Sequence, residues 1–269
     1  MTDFESLAWT VDGPVATVLM NRPPVNSVSQ QMYRELRAFF SDVDGLLGAG
    51  VKVIVLSGEG RHFCAGNDLH EFATLAPDNA DARMAEVRAA FFAIQDCPVP
   101  VIGAVHGAAL GTGLAIAASC DFVIAADDAR FGTPEIGVGI MGGARHLARL
   151  IPEPWVRWMY FTADPVPAAE LARLGGIIAV VPPAELLGTA HEHARRIARH
   201  SVALLRTAKA SLNAVETMDL QPGYTFEQSL TTRVCGHPDS REAVRATLER
   251  RVPHYPSDAG AAAGRATSG

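Results

Sequence analysis

The chain has 269 residues, 48% of them hydrophobic and 19% charged, and a formal net charge of −6. That length supports a large core, as one domain or one and a half, and the scattered charge holds no Lys/Arg cluster of the kind a nucleic-acid surface needs. No apolar run is long enough to span a membrane, and the opening MTDFESLAWT does not read as a secretory signal.

Taken in order, Ser6–Val11 and Val15–Met20 lean to β-structure around Asp12-Gly13-Pro14 and predict a hairpin. Asn21-Arg22-Pro23-Pro24 breaks the second strand. Asn26 or Ser27 then caps a helix over 29–47, where Met32, Leu36, Phe39, Phe40 and Val43 recur at helical spacing. Val51–Ser57 is a buried strand, closed by Gly58-Glu59-Gly60. Next, in HFCAGNDL (residues 62–69), a glycine precedes an Asn-Asp pair suited to cap a helix from Leu69. A helix over 81–95 follows, with Met84, Val87, Ala90, Phe91 and Ile94 on one face, until Cys97-Pro98-Val99-Pro100 stops it.

The stretch Val101–Gly143 organises the rest. Apolar Val101–Val105 enters a turn holding Gly107, Gly111 and Gly113. A short apolar helix over Leu114–Ser119 comes next, then a strand over Phe122–Ala126 and a turn at Asp127-Asp128. Thr133-Pro134-Glu135 leads into four more glycines. Glycine lets backbone N–H groups approach a ligand closely, and a helix start adds partial positive charge. Glu135 is the carboxylate placed among these glycines.

The last third reads as helical: 144–150, 155–161, 167–174, 185–200, 201–216, 224–232 and 240–251, with one strand at Ile177–Val181. Asp239 is the expected cap of the final helix. The four cysteines (Cys64, Cys97, Cys120, Cys235) lie far apart with no CxxC pair, and predict reduced thiols in the cytoplasm and no zinc site. Gly111-Thr112-Gly113 imitates the start of a dinucleotide fingerprint, but the third glycine is missing and six residues separate Val105 from Thr112. No G-x-S-x-G is present to support serine hydrolase chemistry.

Two motifs, FCAGNDL at 63–69 and the block from Val105-His106-Gly107 to Gly143, decide the family. With Asn21-Arg22-Pro23, Asn26, Cys120-Asp121 and Pro134-Glu135, their order and spacing resemble the enoyl-CoA hydratase/isomerase superfamily, the crotonase fold, from about residue 10 to 252. The resemblance implies an α/β fold: a crotonase-like spiral of ββα units over 1–195 and a helical C-terminal region over 196–255; the Ala/Gly-rich composition of 256–269 predicts a mobile tail. It implies an acyl-CoA substrate, no cofactor or metal, and a homotrimer or homohexamer. The thioester oxygen would sit between the backbone N–H groups of Ala65 and Thr112, each worth about 3–4 kcal/mol to a developing enolate, with Glu135 as the catalytic carboxylate. Cys64, Gly66, Asn67, Asp68, Leu69, Gly111, Gly113, Ala115, Pro134 and Gly143 would surround the substrate.

The chain departs from the hydratases of that family at one point. They carry a first glutamate two positions after the last glycine of the central turn, where this chain has Ala115. Syn addition of water wants two carboxylates, whereas moving a proton between two carbons needs one base. The residues therefore lean to an enoyl-CoA isomerase, and CAGNDL is similar to the SGNDL of some isomerases. The alternatives are hydration with one glutamate, a specialised acyl-CoA hydrolase, and a non-catalytic acyl-CoA-binding protein. Arg145, His146, Tyr224 and Phe226 are further candidates for substrate contact, with packing or surface roles as the alternative. Cys64 has no base at recognisable spacing to make it a nucleophile.

Overall fold

In the computed structural model, which describes residues 4–258, the hairpin forms from β1 (Leu7–Asp12) and β2 (Val15–Met20), paired antiparallel. The chain continues through α1 (Gln30–Ser41), α2 (Val43–Leu47), β3 (Val53–Gly58), α3 (Leu69–Phe72) and α4 (Ala80–Gln95). Its centre is β4 (Val101–Val105), β5 (Ala108–Leu110), α5 (Thr112–Ser119), β6 (Phe122–Ala126) and β7 (Arg130–Gly132), ending in a 3-10 turn at Pro134–Val138. Then come α6 (Ala144–Leu147), α7 (Glu153–Thr162), β8 (Val166–Pro167), α8 (Ala168–Arg173), β9 (Ala179–Val181), α9 (Leu186–Ile197), α10 (Val202–Val215), α11 (Leu220–Val234) and α12 (Pro238–Leu248).

The large sheet has the order β1-β2-β3-β4-β6-β9, parallel from β2 onward. A small second sheet has the order β5-β7-β8. Strand β3 reads VIVLSG and is buried throughout, as expected for a parallel strand covered on both faces. Successive side chains alternate between those faces. Ile54, Leu56, Val101, Val105, Val123 and Ala125 join the core built with α1, α4 and α5. Val53, Val55, Ile102, Ala104, Ile124 and Ala126 meet Leu186, Ala190 and Ala194 of α9 on the other side. Each large aliphatic side chain so buried contributes about 1.5–3 kcal/mol, so the large sheet is a stiff floor for the loops at its edge.

Several boundaries differ from the sequence expectation, each for a local reason. Ser29, not Asn26 or Ser27, caps α1, accepting from the Met32 N–H at 3.2 Å. The helix expected over 29–47 breaks at Asp42, whose side chain accepts from the Gly45 N–H and starts α2. His237, not Asp239, caps α12. Asp239 is fully buried and accepts from the hydroxyls of Ser201 and Ser257 instead. Strands β5, β7 and β8 have two or three residues each, too few for a two-residue period to show.

The C-terminal helices are tied to the sheet by buried charge. Asp121, entering β6, accepts from the Val101 N–H and pairs with Lys209 of α10 at 2.6 Å. Lys52, ahead of β3, donates to the carbonyls of Ala198 and His200 and pairs with Asp258 at 2.6 Å. Of the tail expected to be mobile, Pro256–Asp258 form a helical turn held by that pair, and 259–269 lie outside the described residues. Among the described residues, no helix is long and apolar enough to cross a membrane.

Candidate active site

Two backbone segments meet at the edge of the sheet. Cys64 and Ala109 form a parallel bridge, with the Cys64 N–H donating to Ala108 and the Leu110 N–H returning to Cys64. A second bridge joins Val28 to Asn67. This close approach needs glycine. Gly66 has φ +112°, and a Cβ there would lie 3.3 Å from the Leu110 carbonyl. At Gly113 a Cβ would run into the Cys64 carbonyl, so any side chain would push the two segments apart.

The segments form one wall of a cleft of about 590 Å³. Of the residues singled out by sequence, Ala65, Gly66, Asn67, Asp68, Leu69, Gly111, Thr112, Pro134 and Glu135 line it together. Cys64, Gly113, Ala115 and Gly143 do not. Cys64 is fully buried below the wall, where loss of water pushes its thiol up to about 12. Gly113 faces Cys64, and Ala115 is buried within α5, all of whose residues are buried. Gly143 backs Glu135 instead. A Cβ on Gly143 would stand 3.1 Å from Glu135 Oε1, and one on Gly111 3.3 Å from the same oxygen.

Glu135 sits in the first turn of the 3-10 segment, behind Pro134, and is 7% exposed. Among the described residues its Oε2 has no hydrogen-bond partner. Burial raises its pKa, because the ionised form loses water, and the hydrogen bond from its own backbone N–H offsets only part of that shift. The other carboxylate nearby, Asp68, is in the opposite condition. It caps α3 through the N–H groups of His70 and Glu71 and pairs with Arg22 at 2.6 Å, which together hold its carboxyl below the usual range. Arg22 is itself anchored on Ser27, and Asn26 ties the same loop to the carbonyls of Glu59 and His62. That explains the Asn21–Asn26 motif as a buckle of the cleft wall.

The expected pair of N–H donors changes by one member. The Ala65 N–H donates to the Val25 carbonyl at 3.0 Å and is engaged within the fold. The Asn67 N–H, two residues on, has no acceptor among the described residues, nor does that of Thr112, the first residue of α5. A helix start leaves its first N–H groups free and adds the positive end of its dipole. On the 65–69 segment the N–H groups of Gly66 and Leu69 also lack an acceptor among the described residues, and Asn67 and Thr112 are a free donor on each of the two segments.

Behind that wall lies a residue that the sequence reading counted only as part of a helix. The Tyr33 hydroxyl, on the buried face of α1, lies 2.6 Å from Asn67 Oδ1 and 2.8 Å from Thr112 Oγ1. Burial raises its pKa, so it stays protonated. Of the further candidates, His146 packs edge-on against Phe91 and Arg145 is exposed beside Glu216. Neither these two nor Tyr224 and Phe226 line the cleft.

A family model for enoyl-CoA hydratase/isomerase matches residues 10–258. A relative from Rhodococcus jostii (strain RHA1), named (7aS)-7a-methyl-1,5-dioxo-2,3,5,6,7,7a-hexahydro-1H-indene-carboxyl-CoA hydrolase, is 38% identical over 82% of this chain and 86% of its own. The 2,3-dehydroadipyl-CoA hydratase of Escherichia coli (strain K12) is 33% identical over 93% of this chain and 94% of its own. Among solved structures, an enoyl-CoA hydratase from Bacillus anthracis superposes with a TM-score of 0.88 at 29% identity, covering 94% of this chain and all of that one. Fold, cleft and sequence agree, and the chain belongs to the enoyl-CoA hydratase/isomerase family of CoA-thioester enzymes.

Proposed function

We propose that this enzyme uses a single carboxylate, Glu135, to open by water attack a β-keto ring carried by an acyl-CoA, a cleavage that releases a thioester enolate. One observation carries the reading: Glu135 is the only carboxylate lining the cleft, among the described residues, that is free of an ion pair. Position 115, where a second carboxylate would be needed, is a buried alanine outside the cleft lining. Hydration by paired carboxylates has no second partner here.

In the proposed step, Glu135 takes a proton from water as the water oxygen attacks the ring ketone. The bond from that carbonyl carbon to the thioester α-carbon breaks, and its electron pair moves onto the thioester oxygen. The Asn67 and Thr112 N–H groups hold that oxyanion. Glu135 then returns its proton to the α-carbon. One water is added, the ring ketone becomes a carboxylic acid, and CoA stays attached. The ring ketones in the name of the Rhodococcus jostii hydrolase support this substrate class.

A second reading, conversion of a 3-enoyl-CoA into a 2-enoyl-CoA, needs the same cradle and the same single base. Ala115 favours it equally. The test offers purified protein a cyclic β-keto acyl-CoA, a 3-enoyl-CoA and a 2-enoyl-CoA, with products resolved by mass and free thiol measured. Water gained by the cyclic substrate with no CoA released supports ring opening. Release of CoA refutes it in favour of thioester hydrolysis, and turnover of the 3-enoyl substrate alone, without gain of mass, refutes it in favour of isomerisation.

A further inference from the structure

We infer that Tyr33 is a positioning residue that fixes the spacing of the two N–H donors of the oxyanion cradle. The inference rests on the enolate reading above and asks what holds that cradle in shape. The two donors lie on separate segments, Asn67 just before α3 and Thr112 at the start of α5. Their side chains converge on one phenol, at 2.6 and 2.8 Å.

The proton order is determined. A tyrosine hydroxyl has one proton to give, and the Asn67 amide oxygen can only accept. Tyr33 therefore donates to Asn67, and the Thr112 hydroxyl donates to Tyr33. Among the described residues no other side chain bonds both. Tyr33 itself is rigidly seated: it is 4% exposed, lies on α1, and packs edge-on against Phe91 of α4 at 6.0 Å between ring centres. It does not line the cleft, so it acts through Asn67 and Thr112 rather than on substrate. A group held by packing on a helix is a better ruler than a loop.

The experiment binds hexanoyl-CoA, isotope-labelled at the thioester carbon, and reads the carbonyl stretch by difference infrared spectroscopy. A cradle that polarises the carbonyl lowers this frequency on binding to the wild type. Tyr33→Phe should reduce that shift and lower kcat by about 10–100-fold while KM moves far less. Thr112→Val keeps the backbone N–H and removes the hydroxyl, and should reproduce the loss. Because the three groups form one chain, the double variant should be little worse than either single. Circular dichroism and thermal unfolding establish that each variant is folded, and Thr112→Val alone carries the test if Tyr33→Phe does not fold. A wild-type shift that Tyr33→Phe and Thr112→Val leave intact overturns the role of Tyr33 while the cradle stands. No shift in the wild type overturns the cradle, and the clamp with it.

Discussion

Glu135→Gln keeps the shape of the side chain and removes the base. A positioned general base typically contributes about 10²–10⁴-fold. Here the loss falls at the upper end, because no neighbour can substitute: Asp68 is occupied by Arg22 and the first turn of α3, and position 115 carries a methyl group. We expect kcat to fall about 10³–10⁴-fold, equivalent to about 4–5.5 kcal/mol of transition-state stabilisation. The free N–H groups of Asn67 and Thr112 are untouched, so KM should change only a few-fold. The pH profile follows from burial. The base works ionised and its pKa is raised, so kcat/KM of the wild type should fall as pH drops through a value above the ordinary 4.5. Stability should move the other way. With the folded pKa above the unfolded one, ionised Glu135 weakens the fold above that raised pKa, and the penalty vanishes below the unfolded value of about 4.5. Glu135→Gln should therefore unfold at a higher temperature than the wild type at neutral pH and lose that advantage in acid. Steady-state kinetics and thermal scans across pH measure both. A loss in kcat of less than tenfold would refute the assignment of Glu135 as the sole base.

Three further outcomes follow from the same geometry. Ala115→Glu places a charged, larger side chain in a fully buried helix, so the protein should melt several degrees lower without gaining water addition to a 2-enoyl-CoA; the appearance of hydratase activity by mass would contradict this. Lys209→Met leaves Asp121 without its partner at the junction of the sheet and α10, which costs about 3 kcal/mol and lowers the melting temperature by about 6–12 °C, read by calorimetry. Native protein treated with a thiol reagent should react rapidly at Cys235 alone. Cys64, Cys97 and Cys120 are buried, and burial pushes their thiols up to about 12, 11 and 12 respectively. Rapid modification of Cys64 in the folded state, located by peptide mapping, would show that the wall around it opens.

How much of this was legible in the sequence depends on which force sets each feature. The spiral and the family were legible, because β3, β4 and β6 are runs of buried aliphatics and the glycines around Gly66 and Gly113 mark forced close approach. Glu135 was legible for the same reason, as a carboxylate set in a run of glycines. Asp68 was correctly read as a helix cap from its place before Leu69. Which backbone N–H groups stand free was half legible. Thr112 follows from the helix start, but Ala65 and Asn67 differ only in where their N–H groups point, and a side-chain pattern carries no record of that. Tyr33 shows in the sequence as another aromatic on the apolar face of α1. That its hydroxyl reaches Asn67 and Thr112 is a tertiary fact, made by residues 34 and 79 positions away. The short strands β5, β7 and β8 were missed because the chain around them is chosen for turns and close contact rather than for strand propensity.

The cradle made of main-chain N–H groups has one more consequence. Every L-amino acid other than proline brings the same N–H, so under the enolate reading proposed above a side-chain change at either donor leaves the donor itself in the chain. What can change without deleting a donor is the set of side chains around it, at a cost wherever, as at Thr112, the side chain also helps hold the donor in place. Such a protein can exchange one reaction for another without passing through a form that has forgotten how to hold an enolate. That makes the fold easy to recognise, and leaves the particular reaction to a few side chains.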